Sequence, residues 1–341
     1  MTRLATGVAD ATRLTKESAM LQIRRNTLAA VAVLASQAEA QSDPSNFDAV
    51  INIPGIAGSV VSAATPIGAV GSSLQLNLMP GGVVQPGAFT QAGANVEINV
   101  LGGFVGPNFT VNAGATLNVV SGLVEDGLRI DGGTVNQSGG EVDRLELGAT
   151  ATFRSSGGTA VVDAIELGQF RTVHVGGGDV TLEADFLRNT HITMTAGRLS
   201  GDVDLRNTSS FVASGGQVLS VFELLPSTFV RFVADAFFLD GADITERVAT
   251  VDDAAIGLET HLPRRDDAVL VGHFADGNVF DLLLGSNGLQ GPDRIDPNAT
   301  VSIVRNTDAA SCSPADIAEP FGVLDIADVV GFLQTFEVGC P

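Results

Sequence analysis

The sequence holds no tryptophan, no tyrosine, one lysine, two cysteines and four histidines. Without Trp or Tyr it lacks the flat, polar-tipped rings that commonly stack against sugars. Lys16, the only lysine, falls in the first twenty residues, which removes a phosphate-loop or Schiff-base lysine from the folded body. The scattered histidines and cysteines form no zinc signature. Positive charge is also scarce: 18 basic against 39 acidic side chains give a formal charge of −21. Nucleic acid is therefore excluded as a partner and acidic membrane surfaces are disfavoured, because phosphate binding needs clustered cations.

What remains is aliphatic and glycine-rich. Hydrophobic residues make up 45% and charged residues 17%, enough apolar side chain to exclude wholesale disorder. The amino end reads as an export signal: Arg24 and Arg25 precede an apolar run over 28–35, then Ala38-Glu39-Ala40 in the small-x-small pattern of a signal-peptidase site. Met20 is the expected start, with cleavage after Ala40 and a secreted or cell-surface destination. No segment reaches about 18 uninterrupted apolar residues, so no membrane span is expected. Removing residues 1–40 leaves 13 basic and 36 acidic side chains, a charge of −23.

Between residues 72 and 228 a small-Gly step recurs, its second glycine at Gly82, Gly103, Gly122, Gly140, Gly158, Gly178, Gly197 and Gly216. Repeats of about nineteen residues are too short for two helices, and the flanking residues alternate, so strands are the regular element. Five residues before each glycine stand Asn77, Ile98, Leu117, Val135, Phe153, Val173, Ile192 and Phe211, a column expected to face inward. One residue later come Asn99, Asn118, Asn136, Arg154, His174 and Thr193, expected to face outward. Two residues after the glycine, Val84, Val105, Val124, Val142, Ala160, Val180, Leu199 and Val218 form a second inward column. A further strand is expected at 128–130, 145–147, 165–167, 203–205 and 222–224.

Stacked turns with matching columns predict an all-β fold, a parallel β-solenoid of about eight coils. The glycine step is its corner, needing positive φ or close approach of neighbouring coils. Residues 41–71 are expected to supply an amino-terminal cap. Beyond Leu225-Pro226, residues 229–307 read as a small antiparallel cap domain, with a hairpin around Asp276-Gly277 and a strand over 301–304.

Acids follow the glycine step in successive coils: Glu125 and Asp126, Asp143 and Glu146, Asp163 and Glu166, Glu183 and Asp185, Asp202 and Asp204. Parallel winding would stack them into an acidic stripe. Two functions fit: a solvated face of a non-enzymatic scaffold, or a polysaccharide lyase or glycoside hydrolase. In the second, Asp163, Glu166, Glu183, Asp185, Asp202 and Asp204 would act beside an arginine, with Arg188 the nominee and Arg144, Arg171 and Arg206 the other choices. His174 and His191 sit at different offsets from their glycines and are expected to be isolated and exposed.

After a polar linker, residues 308–341 carry Cys312, Asp316, Glu319, Phe321-Gly322-Val323-Leu324-Asp325, Asp328 and a closing Gly339-Cys340-Pro341. Ile326, Val329, Val330, Leu333 and Phe336 fall on one helical face. The segment resembles the GC-type dockerin domain at the carboxyl ends of exported planctomycete-type bacterial proteins. That resemblance implies attachment to a cohesin-like or other cell-surface partner, and a half EF-hand loop for calcium. With Asp328 at loop position 12, Asp325 at 9 and Glu319 at 3, positions 1 and 5 fall on Ile317 and Phe321, which are apolar. Asp316 enters only by a one-residue shift, so calcium is bound weakly at most, and no other cofactor is expected. Cys312 and Cys340 either pair with each other or serve attachment.

Overall fold

The computed structural model describes residues 41–53, 60–62, 73–85, 91–164, 170–183, 187–255, 257–262, 268–285 and 293–306. They form a parallel β-solenoid of about eight turns. The expected signal peptide, the dockerin-like tail with Asp316, Glu319, Asp325 and Asp328, and both cysteines lie outside the described residues.

The ladder that precedes the glycine step is the longest. Ile51, Leu76, Ile98, Leu117, Val135, Phe153, Val173, Ile192, Phe211, Val230 and Val301 are successive partners, all parallel. From Leu76 onward each is at most 3% exposed, and full burial of such a side chain contributes about 1.5–3 kcal/mol. Ten spacings of about 4.8 Å make this ladder roughly 50 Å long. The head of the expected column is shifted by one residue: Leu76, not Asn77, lies beside Ile98. The extra residue is taken up in a turn closed by Gly82 N–H donating to Met79 O at 2.7 Å.

The asparagine column is not the wet face the alternation suggested. Asn52, Asn77, Asn99, Asn118 and Asn136 are successive partners, and each Nδ2 donates to the Oδ1 of the preceding coil at 2.7, 2.9, 2.8 and 2.9 Å. Asn99 and Asn118 are fully buried. The ladder allows this because each carboxamide satisfies the next, removing the cost of an unpaired buried polar group.

The glycine step behaves as the corner its recurrence implied. Gly158 has φ +81°, and a Cβ there would lie 2.4 Å from Gly140 O in the coil beneath. Both conditions, positive φ and close backbone approach, hold at once. The second ladder follows, with Val84, Val105, Val124, Val142, Ala160, Val180, Leu199 and Val218 in register and buried as expected. In the third ladder Val162-Asp163-Ala164 stacks beneath Leu145-Glu146-Leu147, and the strand expected at 165–167 lies outside the described residues. A bulge between Val142 and Leu145 sets Asp143 and Arg144 against the single residue Val161, which moves the register.

Strands from both expected cap regions join the ladder. Ala49–Ile53 and Val60–Ser62 pair in parallel with Leu74–Leu78 and Val83–Gln85, so the amino-terminal region contributes strands to the solenoid. At the other end Phe229–Ala234 and Thr300–Arg305 continue the first ladder beyond residue 228. Between them sits a four-stranded antiparallel sheet of Ala236–Leu239, Ala242–Asp243, Val269–His273 and Val279–Leu283, containing the hairpin. It joins the solenoid core through phenylalanine: Phe280 stacks on Phe232 at 3.9 Å, and Phe232 meets Phe211 and Phe222 edge-on. Thr260–Leu262 pairs antiparallel with the final rung, Leu262 facing Val301.

Candidate functional site

The third ladder carries the acids nominated from sequence, and it interleaves them with arginine. Its outward column runs Thr110, Arg129, Glu146, Asp163. Arg144 Nη2 donates to Asp163 Oδ2 at 2.5 Å. That hydrogen bond, then the charge of Asp163 and, after the opposing effect of burial, the charges of Glu183 and Asp126, hold the guanidinium above its ordinary pKa. Further along, Asp204 faces Glu223, and Glu223 forms an ion pair with Arg294 at 3.0 Å. Glu183 and Asp202 are exposed. Asp163 and Asp204 stand two coils apart and out of register, more than about 10 Å from each other. Glu166 and Asp185 lie outside the described residues. Two cross-coil ion pairs, Arg144–Asp163 and Arg294–Glu223, thus lie on this stripe beside acids that face solvent.

The nominated arginines divide by environment. Arg188 lies opposite Arg206 in the ladder. Arg171 is only 1% exposed. Its Nε donates to Gly148 O at 3.1 Å, and burial lowers its pKa. Arg171 belongs to a buried polar column with Thr190, Ser209 and Thr228. Ser209 Oγ donates to Leu187 O at 2.6 Å and Thr228 Oγ1 to Leu225 O at 2.7 Å, so these side chains satisfy loop carbonyls at a second corner. That corner also places Asn95, Asn189 and Asn207 at positive φ. The sequence signal for it was the Asn or Gly that stands just before most inward strands, with Thr150 and Ser227 in that place in two coils.

The two histidines occupy neighbouring columns, as their offsets implied, but neither is isolated. His174 Nδ1 lies 2.7 Å from Thr193 Oγ1, and its pKa is lowered by burial and then by Arg154. His191 Nδ1 lies 2.5 Å from Ser210 Oγ. Among the described residues no three His, Cys, Asp or Glu side chains gather as a metal site.

A groove of about 320 Å³ lies on the second ladder, lined by Glu141, Asp143, Thr159, Asp179, Thr181, Arg198 and Ser200. Glu141, Thr159, Asp179 and Arg198 form one column, each immediately after the second glycine of its step. Arg198 Nη1 donates to Asp179 Oδ2 at 3.2 Å, and Thr181 Oγ1 lies 3.0 Å from Ser200 Oγ. Of the lining acids only Asp143 belongs to the stripe expected from sequence, because the post-glycine column mixes charge and hydroxyl. The lining offers hydrogen bonds to a polar, hydroxyl-bearing ligand. Its ionisable groups are the carboxylates of Glu141, Asp143 and Asp179 and the guanidinium of Arg198.

Comparison with protein families, curated proteins and solved structures matches the chain to none of them. No described helix is long and apolar enough to cross a membrane.

Proposed function

We propose that the chain is an exported, surface-attached structural or interaction scaffold: a rigid acidic rod whose carboxyl-terminal segment docks it to a cohesin-like or other cell-surface partner. The observation that carries this reading is the pairing of outward charges across coils, Arg144 with Asp163, Arg198 with Asp179 and Arg294 with Glu223. Such pairs dress a solvated face and discourage lateral strand association. The antiparallel sheet acts as the cap of the rod, and calcium plays at most a weak part in the tail. Fractionating a producing culture, with and without Cys340→Ser, tests attachment. Wild type is expected in the cell-surface fraction, and free release of the intact chain into the medium refutes attachment.

A second reading, a polysaccharide lyase or glycoside hydrolase, is favoured by one observation, the arginine set against an acid at Arg144 and Asp163. Incubation with pectate, alginate and other acidic polysaccharides plus calcium is expected to release no unsaturated or reducing ends. Release that is lost in Asp163→Asn would overturn the scaffold reading.

A further inference from the structure

The two ends of the solenoid differ. At the carboxyl end the inward column finishes in Val301, 3% exposed, with Thr260–Leu262 laid antiparallel across the final rung. At the amino end the same column begins with Ile51, 46% exposed, beside Val50 at 38%. Ala49–Ile53 pairs with Leu74–Leu78 on one side, and among the described residues no strand pairs with its other side. The segment just before it does not close this end. Ser42 N–H donates to Glu97 Oε1 and Ser42 O accepts from Gln75 Nε2, which lays residues 41–42 on the outer face of later coils. The asparagine ladder also ends here, with Asn52 as its first member.

An open strand edge over an exposed apolar interior is a template for another strand. We propose that the amino-terminal end of the rod is a homodimer interface, in which Ala49–Ile53 pairs antiparallel with the same strand of a second copy. A second copy is the fitting occupant for three reasons. The strand Ala-Val-Ile-Asn-Ile carries no charge, so two acidic chains can meet there without burying like charges. A two-fold axis through Ile51 sets Ile51 against Ile51 and Val50 against Asn52, and it keeps both apolar interiors on the same side of the joined sheet. The opposite end is covered, so the contact closes as a two-fold dimer and does not propagate into a filament. In that dimer the two Thr300–Arg305 strands lie at opposite ends of a double-length body.

One five-residue strand pair falls short of the roughly 1,200 Å² of a stable interface, so the dimer is expected to dissociate on dilution and to tighten as salt screens the net charge. Sedimentation equilibrium on the full chain, over a concentration series reaching about 100 µM, tests this. The expected result is a monomer–dimer equilibrium that Ile51→Lys weakens at least about tenfold, while Leu219→Lys, at a distant exposed position, leaves it unchanged. In a Cys312→Ser, Cys340→Ser background, Ile51→Cys is expected to oxidise to a covalent dimer, since directly opposed strand residues lie within disulfide reach. That arm stands even if Ile51→Lys fails to fold. A chain that stays monomeric throughout, associates beyond dimers, is indifferent to Ile51→Lys while folded, or gives no Ile51→Cys cross-link overturns the proposal.

Discussion

Alanine at Gly158 tests the corner of the solenoid directly. The residue combines φ +81° with a Cβ position 2.4 Å from Gly140 O and 2.7 Å from Gly139 C. Moving an L-residue into the left-handed region costs about 1–2 kcal/mol, against which the stiffer unfolded chain returns about 0.4–1 kcal/mol. Forcing the coils apart adds about 1–3 kcal/mol, as overpacking does. Gly158→Ala should therefore lose about 1–5 kcal/mol, centred on about 3. Two other glycines separate the contributions. Gly241 has φ +76° and no atom within 4 Å of its Cβ position, so Gly241→Ala reports the dihedral alone and should lose about 1 kcal/mol. Gly139 lies outside the positive-φ set but meets Val120 O at 2.4 Å, so Gly139→Ala reports the close approach alone. Urea unfolding followed by circular dichroism, with m-values compared, measures all three. If Gly158→Ala costs no more than Gly241→Ala, the coils do not approach at the step and the account of the corner is wrong.

Asn118→Ala removes a link from the buried amide ladder and strands Asn136 Nδ2 and Asn99 Oδ1; a loss of about 2–3 kcal/mol in the same assay is expected, and a loss under 0.5 kcal/mol would place the ladder in water. Phe280→Ala empties the ring stacked on Phe232 and should cost about 3–5 kcal/mol, read as a lowered melting temperature. Asp276 Oδ2 accepts the Gly216 N–H at 2.5 Å at the last glycine step; burial pushes its pKa up, but that bond and those from Asn278 outweigh it and hold the carboxyl below its ordinary value. Its contribution is thus complete above the unfolded carboxyl pKa of about 3.9 and is lost as pH falls through the lower folded value. Asp276→Ala should cost about 1 kcal/mol at pH 7, since the group is largely exposed, and the deficit should shrink on acidification; a deficit that grows would contradict the assignment.

Much of the solenoid was legible because its strongest constraint, one glycine per corner, is written once per coil. The columns at glycine minus five and plus two hold in register from Ile98 to Phe211 and from Val84 to Val218. Spacing alone misled where a turn or bulge absorbs a residue, as at Met79–Gly82 and between Val142 and Leu145. Polarity misled at Asn99 and Asn118, because a single sequence does not reveal that like carboxamides one coil apart satisfy each other. The ends of the ladder were harder to read: Ala49–Ile53 and Thr300–Arg305 pair with the coils although no glycine step marks them. The groove column is the residue after each glycine, yet its mixture of Glu141, Thr159, Asp179 and Arg198 gives no single-type signal.

The central claim is that successive stretches of about nineteen residues lie one above another in parallel. Spin labels in a cysteine-free background, placed in the outward column at Thr116 and in turn at Thr152, Thr172, His191 and Ser210, test it by double electron–electron resonance. These positions are successive partners reached through Thr134, so the mean distance should rise by about 4.8 Å per coil, to roughly 24 Å at Ser210. Distances that fail to increase steadily along the series would contradict parallel stacking.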